Sequence, residues 1–95
     1  ENHYQNVLYL TMKLMSVYVV DAEYRTSNGR IDLLIKTDKF IYIMEFKLDG
    51  SAEEAIEQIE SKGYALPFVA DGREIIKVGV NFSTSTRNLD RWIIK

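Results

Sequence analysis

The 95-residue sequence contains no cysteine. That absence removes disulfides, thiolate zinc sites, thiol nucleophiles and iron–sulfur clusters together, and it agrees with a reducing, cytoplasmic setting. Histidine occurs once, as His3, with nothing spaced around it to form a ligand set or a nucleophile partner, so it reads as a surface residue. There is one proline and no low-complexity run, so nothing marks a linker and the chain reads as a single domain. An excess of either charge is also missing. Twelve Lys plus Arg stand against 14 Asp plus Glu, a net charge of -2, which excludes a binder that works by overwhelming positive charge. A nucleic-acid enzyme stays open, because a metal site contributes its own acids to that count. The apolar share of 46% is too high for a disordered chain. The longest apolar stretch, Val7 to Val20, is broken by Lys13 and does not read as a membrane span, and no signal peptide is visible. Glu1 opens what reads as a helix already in progress, so the chain is expected to be part of something longer.

Periodicity divides the chain into elements. Tyr4, Val7, Leu8, Leu14 and Met15 recur at helical spacing over His3 to Ser16. From Val17 to Thr26 the pattern turns β-branched and aromatic, and Ser27-Asn28-Gly29 supplies a turn. Strands over Arg30–Thr37 and Phe40–Leu48 follow, with Asp38-Lys39 between them, so the three are expected to be antiparallel neighbours. Ser51-Ala52-Glu53-Glu54 is a capping box opening a second helix. Its apolar stripe is Ala52, Ala55, Ile56 and Ile59, and Gly63 is its left-handed stop. Glu74–Phe82 and Leu89–Lys95 read as further strands. A strand, helix, strand connection normally returns parallel, which sets the strand from Glu74 beside the one from Phe40. The expected architecture is α/β: an α-β-β-β-α-β core, a mixed sheet flanked by helices, with a closing edge strand.

Two polar intrusions into apolar strands carry the chemical information, Asp32 within Ile31–Ile35 and Glu45 within Ile43–Lys47. A carboxylate on a covered strand is costly unless it is paired, hydrogen-bonded or metal-bound. A two-residue Asp38-Lys39 loop pairs Thr37 with Phe40 and puts Asp32 opposite Glu45 on one face. Lys47, two residues on, projects from that same face. Two acids this close repel unless a positive charge lies between them, and a hard divalent cation suits two carboxylates. The bland alternative is a structural ion-pair cluster. A two-residue Asn28-Gly29 loop would place Arg25 opposite Asp32 and make a salt bridge there.

Gly29-Arg30-Ile31-Asp32 followed by Glu45-Phe46-Lys47, in this order of elements, resembles the PD-(D/E)XK nuclease superfamily. The likeness is closer to the nuclease-like C-terminal domains of AAA-ATPase-like bacterial proteins, and it runs from Glu1 through Ser83. It implies a restriction-endonuclease-like fold and a Mg²⁺- or Mn²⁺-dependent hydrolysis of nucleic acid, DNA ahead of RNA. It further implies that Asp32, Glu45 and the Phe46 carbonyl hold the metal and that Lys47 serves the attacking water. Gln58 and Tyr64 match the family's additional polar positions, and Glu1 an acid on the first helix. The family's nominal proline before the Asp is Ile31 here. Gln58 otherwise reads as a residue on the boundary of the apolar stripe, and Tyr64 as a packing residue.

The implied partners are nucleic acid, an attached ATPase domain and a second copy of the chain; no membrane is expected. Arg25, Arg30, Lys36, Arg73 and Arg87 are dispersed cations of the kind any soluble domain displays. The alternative to a nuclease is a noncatalytic module binding nucleic acid or a partner while an attached ATPase does the work.

Overall fold

The computed structural model describes residues 19–95. The first expected helix, with Glu1 and His3, lies outside them. Strands β1 (Val19–Thr26), β2 (Gly29–Lys36) and β3 (Phe40–Leu48) are followed by helix α1 (Ala52–Ser61) and a 3₁₀ segment (Leu66–Asp71). Strands β4 (Glu74–Ser83) and β5 (Asn88–Ile94) complete one sheet in the order β1-β2-β3-β4-β5. The pairs β1–β2, β2–β3 and β4–β5 are antiparallel, whereas β3 and β4, joined through α1, run parallel. This is the mixed α/β sheet expected from the strand, helix, strand order.

The apolar alternation on β2 and β3 dictates two clusters, one on each face. Leu34, Ile41 and Ile43 pack against Ile56 and Ile59 of α1, with Ile31, Tyr64 and Phe68 completing that cluster. Leu33, Ile35 and Met44 face the other way and join Val78, Val80 and Leu89. Each isoleucine of α1, taken fully out of water, contributes about 2 kcal/mol to the docking of the helix.

The helix begins where the sequence says. The Ser51 hydroxyl accepts from Glu54 N–H at 3.0 Å, and the four stripe residues Ala52, Ala55, Ile56 and Ile59 are its buried ones. It ends in a Schellman motif, in which Tyr64 N–H donates to the Ile59 carbonyl and Gly63, at φ 63°, donates to that of Glu60. The 3₁₀ segment was not foreseen. Pro67 removes a donor but fixes a φ that suits a first helical turn, so the chain coils once more instead of running as open loop.

The Asp38-Lys39 hairpin has the expected length, with Thr37 N–H donating to the Phe40 carbonyl at 2.9 Å, and so the β2–β3 register is as derived: Leu33 opposes Met44 and Leu34 opposes Ile43. The β1–β2 turn is shifted. Thr26 pairs with Gly29, leaving Ser27-Asn28 as the two loop residues, and Arg25 opposes Arg30. The Arg25–Asp32 pairing is therefore incorrect. The place across from Asp32 falls to Glu23, whose φ of 54° interrupts the ladder, and whose carboxylate lies 3.5 Å from Arg30.

Candidate active site

Main-chain pairing between β2 and β3 ends at Leu33–Met44, one residue short of both acids. Beyond that point the strands fork, and side chains take over the hydrogen bonds. Asp32 Oδ2 accepts from Phe46 N–H at 2.9 Å, and Glu45 Oε1 accepts from Asp32 N–H at 3.3 Å. Each carboxylate is thus fastened to the opposite strand's backbone, so neither needs a cation merely to satisfy hydrogen bonding. What remains unbalanced is charge.

That imbalance is visible at Glu45, which is 3% exposed. Burial, and then the neighbouring Asp32 carboxylate, push its pKa from the ordinary 4.5 up to about 7, against the opposing pull of the Asp32 N–H and Lys47. Lys47 makes its contact at one remove. Its Nζ donates to Gln58 Oε1 at 2.5 Å, and Gln58 Nε2 donates to Glu45 Oε2 at 2.6 Å. An ammonium can only donate, so it fixes which end of the amide faces it and aims the other end at the carboxylate. The result is a polarised chain, Lys47 to Gln58 to Glu45, in which no group has a choice of orientation.

Gln58 reaches the sheet because α1 lies very close to it. Gly79 of β4 stands beside Glu45 in the parallel register. A methyl group there would meet the Ala52 carbonyl oxygen at 2.6 Å, Ile56 Cγ1 at 2.9 Å and Ala55 Cβ at 3.0 Å. Two alanines on the helix and a glycine on the strand bring the two elements into contact, and the amide inherits its reach from that.

The expected site residues therefore fall into groups. Asp32, Glu45, Lys47 and Gln58 come together. Phe46 contributes backbone only: its ring belongs to the opposite face, 6.0 Å from that of Phe82, while its carbonyl shares with its N–H the edge of β3 that faces β2, towards the fork. Tyr64 is a core residue, 2% exposed, whose hydroxyl lies against Gly29. Among the described residues no cluster of three His, Cys, Asp or Glu side chains forms, so the pair Asp32–Glu45 stands without a third acid.

Asn81, in register with Lys47, was not singled out in the sequence. It is buried, accepts from Gly50 N–H at 2.9 Å and donates to Asp90 Oδ2 at 3.1 Å, tying the loop after β3 to β5 where a shift of register leaves Asp90 unpaired. An amide within an otherwise apolar strand, Val78-Gly79-Val80-Asn81-Phe82, is the signal that marks it.

The donor set suits a hard divalent cation: carboxylate oxygens backed by a backbone carbonyl edge, with a like-charge repulsion that a cation relieves. Among the described residues no helix is long and apolar enough to cross a membrane.

An uncharacterised protein encoded in the vnfD 5′ region of Azotobacter chroococcum mcd 1 is 32% identical to the chain over 97 residues. The match takes in 100% of this chain but only 19% of that relative, so the sequence spans about a fifth of the longer protein. Residues 1–92 match the family model of the PD-(D/E)XK nuclease superfamily, and the chain belongs to that superfamily.

Proposed function

We propose that this domain hydrolyses phosphodiester bonds in nucleic acid, DNA in the first instance, with Mg²⁺ or Mn²⁺ held by Asp32, Glu45 and the Phe46 carbonyl. The observation that carries the reading is the fork itself. Two carboxylates share one face, both anchored to backbone, and a lysine is bound to one of them through an oriented amide. A structural ion pair needs no such arrangement, and the cation nearest the acids is held off by Gln58 instead of neutralising them directly.

A bound divalent cation would supply positive charge to the phosphate oxygens and a more acidic water. The chain's own residues do the remaining work. Asp32 and Glu45 are held side by side at the fork because each is tethered to the backbone of the facing strand. Lys47 positions the attacking water and offsets negative charge as it develops on the phosphate. Gln58 holds Lys47 and Glu45 at a fixed separation, so the ammonium does not collapse onto the carboxylate and remains directed at the substrate.

The test pairs metal binding with turnover. Titration calorimetry with Mn²⁺ and Mg²⁺ is expected to show binding in the wild type that disappears in Asp32→Ala. Lys47→Ala should keep the fold and the metal while losing cleavage of plasmid and linear DNA by about 10²-fold or more. Cleavage by Lys47→Ala at the wild-type rate refutes the role given to the lysine. DNA binding without cleavage by the wild type, with either metal, identifies a noncatalytic module, and an ATPase elsewhere in the longer protein then becomes the partner to seek.

A further inference from the structure

Three described residues other than glycine adopt left-handed backbone: Glu23, Asp49 and Arg87, with φ of 54°, 54° and 57°. This conformation disfavours any residue with a Cβ, and an observed case asks for a reason. For Asp49 the reason is on the page. Its carboxylate accepts from Thr84 N–H at 2.9 Å and from the Thr84 hydroxyl at 2.6 Å, clasping the loop after β3 to the β4–β5 turn. Glu23 lies within 3.5 Å of Arg30. Arg87 has no such partner among the described residues. It is exposed, it forms no ion pair there, and it occupies the last position of a four-residue hairpin loop, Thr84-Ser85-Thr86-Arg87, closed by the Ser83–Asn88 pair. Glycine or asparagine would sit there with less strain.

The loop is also well placed. Lys47 is in register with Asn81, and β4 runs on from there through Phe82 and Ser83 into the turn. The turn therefore projects beyond the sheet end that carries Glu45 and Lys47, roughly 10 Å from Lys47 at strand rise, a span of about three nucleotides on one DNA strand. Between Phe82 and Leu89 the sequence is Ser-Thr-Ser-Thr-Arg-Asn, all hydrogen-bonding side chains and no acid. The Asp49–Thr84 clasp holds this turn against the segment that follows the lysine.

We infer that the β4–β5 turn is a phosphate-contacting element of the nucleic-acid site, with the Arg87 guanidinium binding the sugar–phosphate backbone of duplex DNA a few nucleotides from the fork. This inference rests on the nuclease reading for its location, but its test does not depend on cleavage. The decisive variant is Arg87→Gly, which relaxes the left-handed backbone while deleting the side chain.

Binding of a fluorescein-labelled duplex to the full chain is measured by anisotropy, with a chelator present, across a salt series. Arg87→Gly is expected to unfold in urea at the same or a higher midpoint than wild type, yet to bind DNA about fivefold more weakly, with its salt slope smaller in magnitude by about 1. Arg87→Lys should recover most of the affinity, because a phosphate contact needs the charge. Equal DNA affinity for wild type and Arg87→Gly overturns the inference and leaves the nuclease reading to the cleavage assay. Absence of duplex binding by the wild type at 50 mM salt overturns it as well. Weakened binding by Arg87→Gly, in a protein that cleaves nothing with either metal, upholds the inference and refutes the nuclease reading instead.

Discussion

Glu45→Gln isolates the electrostatic cost stored in the fork. In the folded, metal-free protein the Glu45 carboxyl titrates at about 7, against an ordinary 4.5. Between those values the folded chain binds a proton that the unfolded chain has released, so stability falls as pH rises. The stabilisation is complete below 4.5, declines through the window to 7 and is gone above it. At about 1.4 kcal/mol per pH unit, the difference comes to about 3 kcal/mol, a large share of the stability of a domain this size. Among the described residues the other carboxyls with displaced titration, Asp49, Glu60 and Asp71, are all held below their ordinary range by hydrogen bonds from Thr84, Lys95 and Arg73, so their stabilisation is lost only as the solution becomes more acidic than that window. Urea denaturation at pH 5, 6, 7 and 8 in a chelator therefore reads Glu45 with little interference. Wild type should lose about 3 kcal/mol across the series. Glu45→Gln, which cannot ionise but must leave one of its two facing N–H donors without an acceptor, should start about 1 kcal/mol below wild type at pH 5 and exceed it by pH 8. Parallel pH curves for the two proteins would show that Glu45 is not under the strain described, and the argument for a cation between the acids would lose its electrostatic support.

Three further outcomes follow from the same contacts. Gln58→Leu removes both the acceptor of Lys47 and a donor to Glu45, and should lower kcat for DNA cleavage about 10- to 100-fold with little change in KM, a split that steady-state kinetics resolves. Gly79→Ala drives a methyl group into the Ala52 carbonyl oxygen at 2.6 Å; lifting α1 should cost about 1–3 kcal/mol in urea unfolding, and an unchanged midpoint would refute the close approach. Asn81→Leu, similar in size, strands the Gly50 N–H and frees Asp90, and should destabilise by about 2 kcal/mol in the same assay.

The β2–β3 register was legible because turn length and period-two alternation fix it together: a two-residue loop and a buried face leave one pairing. Helix α1 was legible for a similar reason, since cap, stripe and glycine stop all agree. The β1–β2 register was not. Ser27-Asn28-Gly29 offers two adjacent two-residue loops, and the chain does not take the Asn-Gly one that local turn preference favours: neither Ser27 nor Asn28 has a positive φ, and Gly29, at φ 149°, opens β2. With Glu23 and Arg25 exposed, β1 has too little buried alternation to reveal the choice. Gln58 could be placed on a boundary but not assigned, because its role depends on how near the helix comes to the sheet. That distance is set by Gly79 and the two alanines, residues whose contribution is the absence of a side chain. The left-handed backbone at Arg87 is likewise invisible in sequence, because arginine gives no local signal for it.

The division of the site between sheet and helix has a dynamic consequence. Glu45 and Lys47 sit on β3, whose ladder with β4 is unbroken, and Asp32 on β2, which pairs with β1 on either side of it, whereas Gln58 arrives on a ten-residue helix whose grip is four small or medium apolar side chains. Helices of that length do not persist alone in water, so α1 is ordered only while docked, and its opening is the lower-energy fluctuation. During such an opening the carboxylates stay in place but Lys47 loses its spacer and is free to fold down onto Glu45. On the proposed reading, the readiness of the site is then a population, the fraction of molecules with α1 docked. Hydrogen exchange at the amides of residues 55–61 would measure it without any substrate at all.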